Sequence, residues 1–133
     1  MKITRQADYA LRAMVYLSQK SDSPTSTKEI AKAQGIPPSF LAKIISQLSL
    51  KKLIIASRGA NGGVALARPA SNISLLEVIE AIDGEIALNQ CTVSIGNCDR
   101  AEDCPLHIIW QETQDELVTK LRNTTFDRFS KKN

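Results

Sequence analysis

A chain of 133 residues suffices for one ordinary domain, and 43% apolar with 23% charged residues is the composition of a soluble protein able to bury a core. No apolar run approaches the roughly 20 residues of a membrane helix, which argues against a membrane protein, and aromatic residues at 5% are too few for the stacking platforms of single-strand binders. The net charge of +3 hides an asymmetry: residues 1–70 hold 11 Lys+Arg and 3 Asp+Glu (net +8), residues 71–133 hold 6 and 11 (net −5). This suggests a polyanion-binding part followed by a part with other work.

Residues 1–6 lack the apolar stretch of a secretory signal, so a cytoplasmic protein is expected. A first helix spans 4–18, with Thr4 as N-cap and Ala7, Leu11, Met14, Val15 and Ser18 at three-to-four spacing. After a polar loop at 20–25, Ser26 and Glu29 have the spacing of a capping box and open a short helix with Ile30, Ala31 and Ala33 inward. Gly35 ends it, and Pro38 suits the first turn of the next helix, where its missing N–H is not needed. That helix runs to about Lys51, with Phe40, Leu41, Ile44, Ile45 and Leu48 on its apolar face. Its other face carries Ser39, Ala42, Lys43, Ser46 and Gln47, thin in charge for a merely solvated surface.

Two short strands follow at 53–58 and 64–68, joined by the Gly-Ala-Asn-Gly-Gly loop at 59–63. Ser74 and Glu77 form a second capping-box pair, opening a helix with Leu75, Val78, Ile79 and Ile82 buried and Gly84 at its end. Residues 85–104 read as irregular. A long helix over about 105–123 places Leu106, Ile109, Trp110, Thr113, Leu117 and Leu121 on one stripe, and 126–129 reads as a short docked turn. The architecture expected is mainly α with a small β-hairpin wing: a winged helix-turn-helix region (1–70), then an irregular loop and a long helix (71–133).

A short capped helix, a glycine-containing turn and a second helix form a helix-turn-helix pattern, and the hairpin after it makes a winged helix. A helix with a slim polar face fits the major groove, about 12 Å wide. Ser39 and Ala42 allow close approach; Lys43 and Gln47, one turn apart, reach base edges or phosphates. Arg58, with Asn61 and Gly62 at the wing tip, suits a phosphate or the minor groove, and Lys28 on the first helix of the motif is a further DNA-contact candidate. A phosphate-cradling P-loop is excluded at 59–63, because no Lys-Ser/Thr and no helix follow.

Cys91, Cys98 and Cys104 lie within 14 residues, and the one histidine, His107, follows three residues later. An odd count is a poor disulfide framework for a reducing compartment. The intervals of six, five and two residues bring together three soft thiolates and an imidazole, a donor set for an iron–sulfur cluster or for zinc, although the tight C-x2–4-C zinc knuckle is missing. Cys104 and His107 straddle the start of the long helix at i and i+3, on one face. A Cys-nucleophile enzyme is disfavoured, because His107 lies outside any obvious carboxylate-oriented arrangement.

The sequence resembles the Rrf-type winged-helix regulators, the group that includes IscR, NsrR, RirA and CymR, over nearly its whole length. The resemblance is carried by Asp8-Tyr9-Ala10-Leu11-Arg12-Ala13, Ile30-Ala31, Gly35-Ile36, Leu41-Ala42-Lys43-Ile44-Ile45, Leu48, the wing Arg58-Gly59-Ala60-Asn61-Gly62-Gly63, residues 73–85 and the Cys/His segment. It implies a homodimeric bacterial transcription regulator on a roughly palindromic double-stranded operator, with Arg58 as the minor-groove wing arginine. The IscR-like pattern of three cysteines and a histidine implies a 2Fe–2S cluster on Cys91, Cys98, Cys104 and His107, although the first interval here is one residue longer. The NsrR-like pattern implies a 4Fe–4S cluster with Asp8 of the partner subunit as fourth ligand; local spacing favours His107. The expectation is therefore a cluster-sensing dimer joined through the long helix, whose signal is iron–sulfur status, redox state or nitric oxide. The alternative is a cluster-free regulator that uses its thiols directly as a redox or sulfur-metabolism sensor.

Overall fold

The computed structural model describes residues 2–20, 24–59, 62–88, 92 and 104–130. Helix α1 (Arg5–Ser18) starts where Thr4 Oγ1 accepts the Ala7 N–H at 3.1 Å. Ala7, Ala10 and Ala13 give it a small-residue face that is fully buried, with Met14 and Leu17 below. Small side chains let a neighbouring backbone approach closely, and α4 (Leu75–Asp83) packs there. Asp83, at the end of α4, accepts from the Thr4 N–H at 3.2 Å and the Thr4 hydroxyl at 2.5 Å, which ties the start of one helix to the end of the other.

Helices α2 (Thr27–Gln34) and α3 (Pro38–Leu50) meet at Gly35, whose left-handed backbone (φ 63°, ψ 38°) makes the turn. Ile30 and Ala31 of α2 and Leu41, Ile44, Ile45 and Leu48 of α3 close over α1. Two expectations fail here. Ala33 is exposed, and Phe40 is 42% exposed, resting against Tyr9 at 6.0 Å between ring centroids. The reason is geometric: Phe40 lies about 100° around the helix from Leu41, at the edge of the apolar face, where it meets Tyr9 of α1 instead of entering the core.

Strands β1 (Ile54–Ser57) and β2 (Gly63–Leu66) pair antiparallel, Ile54 opposite Leu66 and Ser57 opposite Gly63, a shorter hairpin than the sequence pattern suggested. Thr25, just before α2, adds a bridge to Val64, with N–H···O distances of 2.9 and 2.8 Å. The wing is thereby hydrogen-bonded to the entry of the helix-turn-helix.

The Ser74–Glu77 capping box is complete, and Glu77 also accepts from Arg68 at 3.0 Å. In α4 it is Leu76, Val78 and Ile79 that are buried, with Leu75 and Ile82 half-buried. The second half of helix α5 (Pro105–Arg122) packs on α4 and the residues just after it: Leu117, Val118 and Leu121 meet Leu76, Ile79 and Ile86. Past α5 the chain returns, with the Phe126 N–H on the Ile73 carbonyl (3.1 Å) and the Phe126 ring fully buried in the core shared with α1 and α3. The main core thus draws residues from both sides of position 70. Among the described residues no helix is long and apolar enough to cross a membrane.

Candidate DNA interface and thiolate site

Ser39, Lys43 and Ser46 stand exposed on the face of α3 opposite Leu41, Ile44 and Leu48. Gln47 differs from the expectation of a free reading residue: it is half-buried, and its Oε1 is buried without a hydrogen-bond partner among the described residues. Lys28 is exposed on α2, and Arg58 is exposed directly after β1. Asn61 lies outside the described residues. Gly62 has a structural reason of its own: its N–H closes the wing on the Gly59 carbonyl at 3.0 Å, and a Cβ there would sit 2.4 Å from the Ser57 carbonyl oxygen. Gly63, at φ +147°, would meet the Thr25 carbonyl at 2.8 Å.

The electrostatics of this head follow from where its few carboxylates go. Asp8 pairs with Arg12 Nε at 3.0 Å on the same helix. The first capping-box pair is only half formed: Ser26 Oγ accepts the Glu29 N–H at 3.1 Å, but the Glu29 carboxylate takes the Tyr16 hydroxyl at 2.6 Å and Lys20 Nζ at 2.9 Å instead of reaching back. Lys20 also lies 5.1 Å from the Tyr16 ring centroid. The Tyr16 hydroxyl, then Lys20, hold Glu29 below the usual carboxylate range, and the same carboxylate raises both Tyr16 and Lys20. With these acids neutralised locally, the exposed cations of α2, α3 and the wing set the potential that a polyanion meets.

Of the four expected metal ligands, Cys104 and His107 are described; Cys91 and Cys98 lie outside the described residues. Cys104 is the N-cap of α5, half-buried, with a free thiol that makes no capping hydrogen bond. The His107 N–H donates to the Cys104 carbonyl at 3.1 Å, so thiol and imidazole share one turn. Nδ1 of His107 is buried and has no hydrogen-bond partner among the described residues. A buried nitrogen left this way is unfavourable, and a metal is one group that satisfies it. Thiolate and imidazole fit iron or zinc, so the donor chemistry matches the group implied by the sequence. Among the described residues alone, no three His, Cys, Asp or Glu gather closely enough to hold a metal ion.

Sequence reasoning missed one contact near this site. Gln114 lies on the same half-buried stripe of α5 as Cys104, His107 and Gln111. Its Oε1 accepts the Leu88 N–H at 2.9 Å, and its Nε2 donates to the Thr92 carbonyl at 3.4 Å. The stripe was readable as polar residues at i, i+3, i+7 and i+10; the partners, more than twenty residues away, were not. The first half of α5 exposes Leu106, Ile108, Ile109 and Trp110 by 37–60%.

The sequence pattern of the Rrf2 family, described as "Iron-dependent Transcriptional regulator", matches residues 3–132. An HTH-type transcriptional regulator of Mycobacterium tuberculosis, Rv1287, is 43% identical over 129 residues, 94% of this chain and 78% of that one. The HTH-type regulator IscR of Escherichia coli is 32% identical over 126 residues, 94% and 77% of the two chains. Among solved structures, CymR, the global cysteine regulator of Bacillus subtilis, superposes with a TM-score of 0.83 at 26% identity, covering 100% of this chain and 99% of that one.

Proposed function

The chain belongs to the Rrf2 family of transcription regulators, and on that premise we propose that it is a homodimer whose grip on operator DNA is set by an iron–sulfur cluster. It is a DNA-binding winged-helix regulator rather than an enzyme. Ser39 and Lys43 would enter the major groove, Gln47 bordering them; Arg58, Asn61 and Gly62 would meet the adjacent backbone or minor groove, and Lys28 a phosphate. The apolar first half of α5 would pair with its twin and hold two heads about one DNA turn, ~34 Å, apart. Residues 1–70 then act as the reading head and 71–133 as the sensing and pairing part.

The observation that carries the sensing half is the turn at the start of α5, where a free thiol and a buried imidazole nitrogen with no partner among the described residues lie on one face. Cys91, Cys98 and Cys104 would hold the cluster with His107. Asp8 of the partner subunit is the rival ligand; the one-turn spacing of Cys104 and His107 favours His107 and a 2Fe–2S over a 4Fe–4S cluster, with zinc behind both. When bound, such a cluster supplies a centre sensitive to iron supply, oxidants and nitric oxide. Cys104 and His107 would hold it at the start of α5, which leads directly into the apolar half proposed for pairing. A signal there shifts operator affinity only by its differential effect on two dimer conformations.

Iron and sulfide analysis of protein purified without oxygen is the test. Stoichiometric iron and sulfide with visible absorbance are expected, lost in Cys98→Ala while the dimer persists. Colourless, metal-free protein that stays so after incubation with iron and sulfide overturns the cluster. The likeness to CymR favours one second reading, direct thiol sensing without a cluster. Metal-free protein whose operator affinity responds to oxidant supports that reading.

A further inference from the structure

The geometry points to Gln114 as a positioning residue that clasps the chain at Leu88 and Thr92, on either side of Cys91 in sequence, onto α5 through both ends of its side-chain amide. Where the cysteine is to serve a cluster, this rests on the reading above; the clasp itself does not. Leu88 and Thr92 flank Cys91 in sequence, three residues before it and one after, and lie outside any strand or α-helix. An N–H and a C=O in such a segment both need partners. A primary amide is the side-chain group that accepts from one and donates to the other at once. Gln114 does this at 2.9 Å to the Leu88 N–H and 3.4 Å to the Thr92 carbonyl.

Its place on the helix gives the clasp its consequence. Gln114 is seven residues, two turns, from His107 and ten from Cys104. Gln114 thereby holds Leu88 and Thr92 to the stripe that carries Cys104 and His107, and would so set how readily Cys91, between them in sequence, reacts relative to Cys104. Neutrality matters as well. Glu80, Glu85 and Asp115 line the cavity that Gln114 borders, with Arg122 the one cation among its lining residues. A carboxylate at 114 would add repulsion there and lose the donor to Thr92.

The experiment compares wild type, Gln114→Ala and Gln114→Glu in metal-free, reduced protein, then under loading with iron and sulfide. Amide exchange at Leu88 is followed by NMR, and alkylation of Cys91 relative to Cys104 by mass spectrometry. Gln114→Ala is expected to speed exchange at Leu88 about fivefold, the effect of one net hydrogen bond, and to raise the Cys91:Cys104 alkylation ratio. Gln114→Glu keeps an acceptor, so Leu88 stays protected while the ratio still rises. A general loss of stability would raise both cysteines together and leave the ratio unchanged, which overturns the clasp, as does wild-type exchange and labelling in both variants. If the ratio rises and loaded wild type holds iron and sulfide, faster cluster loss in Gln114→Ala is expected, and equal loss overturns the link to the cluster. If the ratio rises but wild type never takes up iron and sulfide, the clasp is supported as a thiol-positioning device and the cluster reading fails.

Discussion

Glu29 shows how a single carboxylate is diverted from the role its spacing suggests. A capping box needs its side chain to turn back on the helix entry, but Tyr16 and Lys20, brought in by α1, offer two donors to one oxygen. The result fastens the first helix of the DNA-reading motif to α1. Its pH dependence has a definite sign. Glu29 is held low, so the stabilisation it brings is complete above its ordinary value and disappears as pH falls through the lowered one. Tyr16 and Lys20 are raised, so theirs is complete below their ordinary values and disappears as pH climbs through the raised ones. Urea unfolding of Glu29→Gln across a pH series is therefore expected to differ from wild type between about pH 5 and 9, and to converge with it in acid once the lowered Glu29 carboxyl is protonated. A difference that persists undiminished in acid would remove the carboxylate from this role.

The wing is the element whose attachment decides how the reading head meets DNA. It hangs on α3 through β1 and on the entry of α2 through the Thr25–Val64 bridge, and Gly63 is what allows the bridge to close. Gly63→Ala forces a side chain into a positive-φ backbone and against the Thr25 carbonyl, at a cost of about 1–3 kcal/mol. A lower melting temperature together with weaker operator binding in gel-shift titration is the expected outcome; unchanged values of both would dissociate the bridge from function. Helix boundaries were legible because their signals are local: Thr4, Ser26, Gly35, Pro38 and Ser74 each act within a turn of where they stand. The Thr25–Val64 bridge was not, since nothing in either residue type names a partner 39 positions away. Phe40 was misplaced for a related reason: an apolar residue at helical spacing says that a face exists, not where its edge falls.

At the scale of the whole molecule, the charge division of the sequence and the layout of the fold agree only in part. Lys28, Lys32, Lys43 and Arg58 lie on α2, α3 and the wing, but Lys2, Arg5, Arg12 and Lys20 lie on or beside α1, and the main core binds both halves of the chain, with Ile73, Val78 and Phe126 packed among residues of α1 and α3. A displacement of α5 that reaches its second half has a packed route to the reading head through α4, which touches α1, α3 and α5. The candidate site was legible as chemistry, three thiols and an imidazole, because donor type and spacing are written in the sequence. What covers the exposed apolar half of α5 was not, because a 3.6-residue period marks a face to be buried without saying which chain buries it. Operator affinity measured anaerobically on one preparation, before and after the metal is stripped, tests the central claim most directly. A change of at least about fivefold, the low end of ordinary allosteric coupling, is predicted for wild type and none for Cys104→Ala, with the dimer intact throughout. Equal affinity of loaded and stripped wild-type dimers would contradict the account.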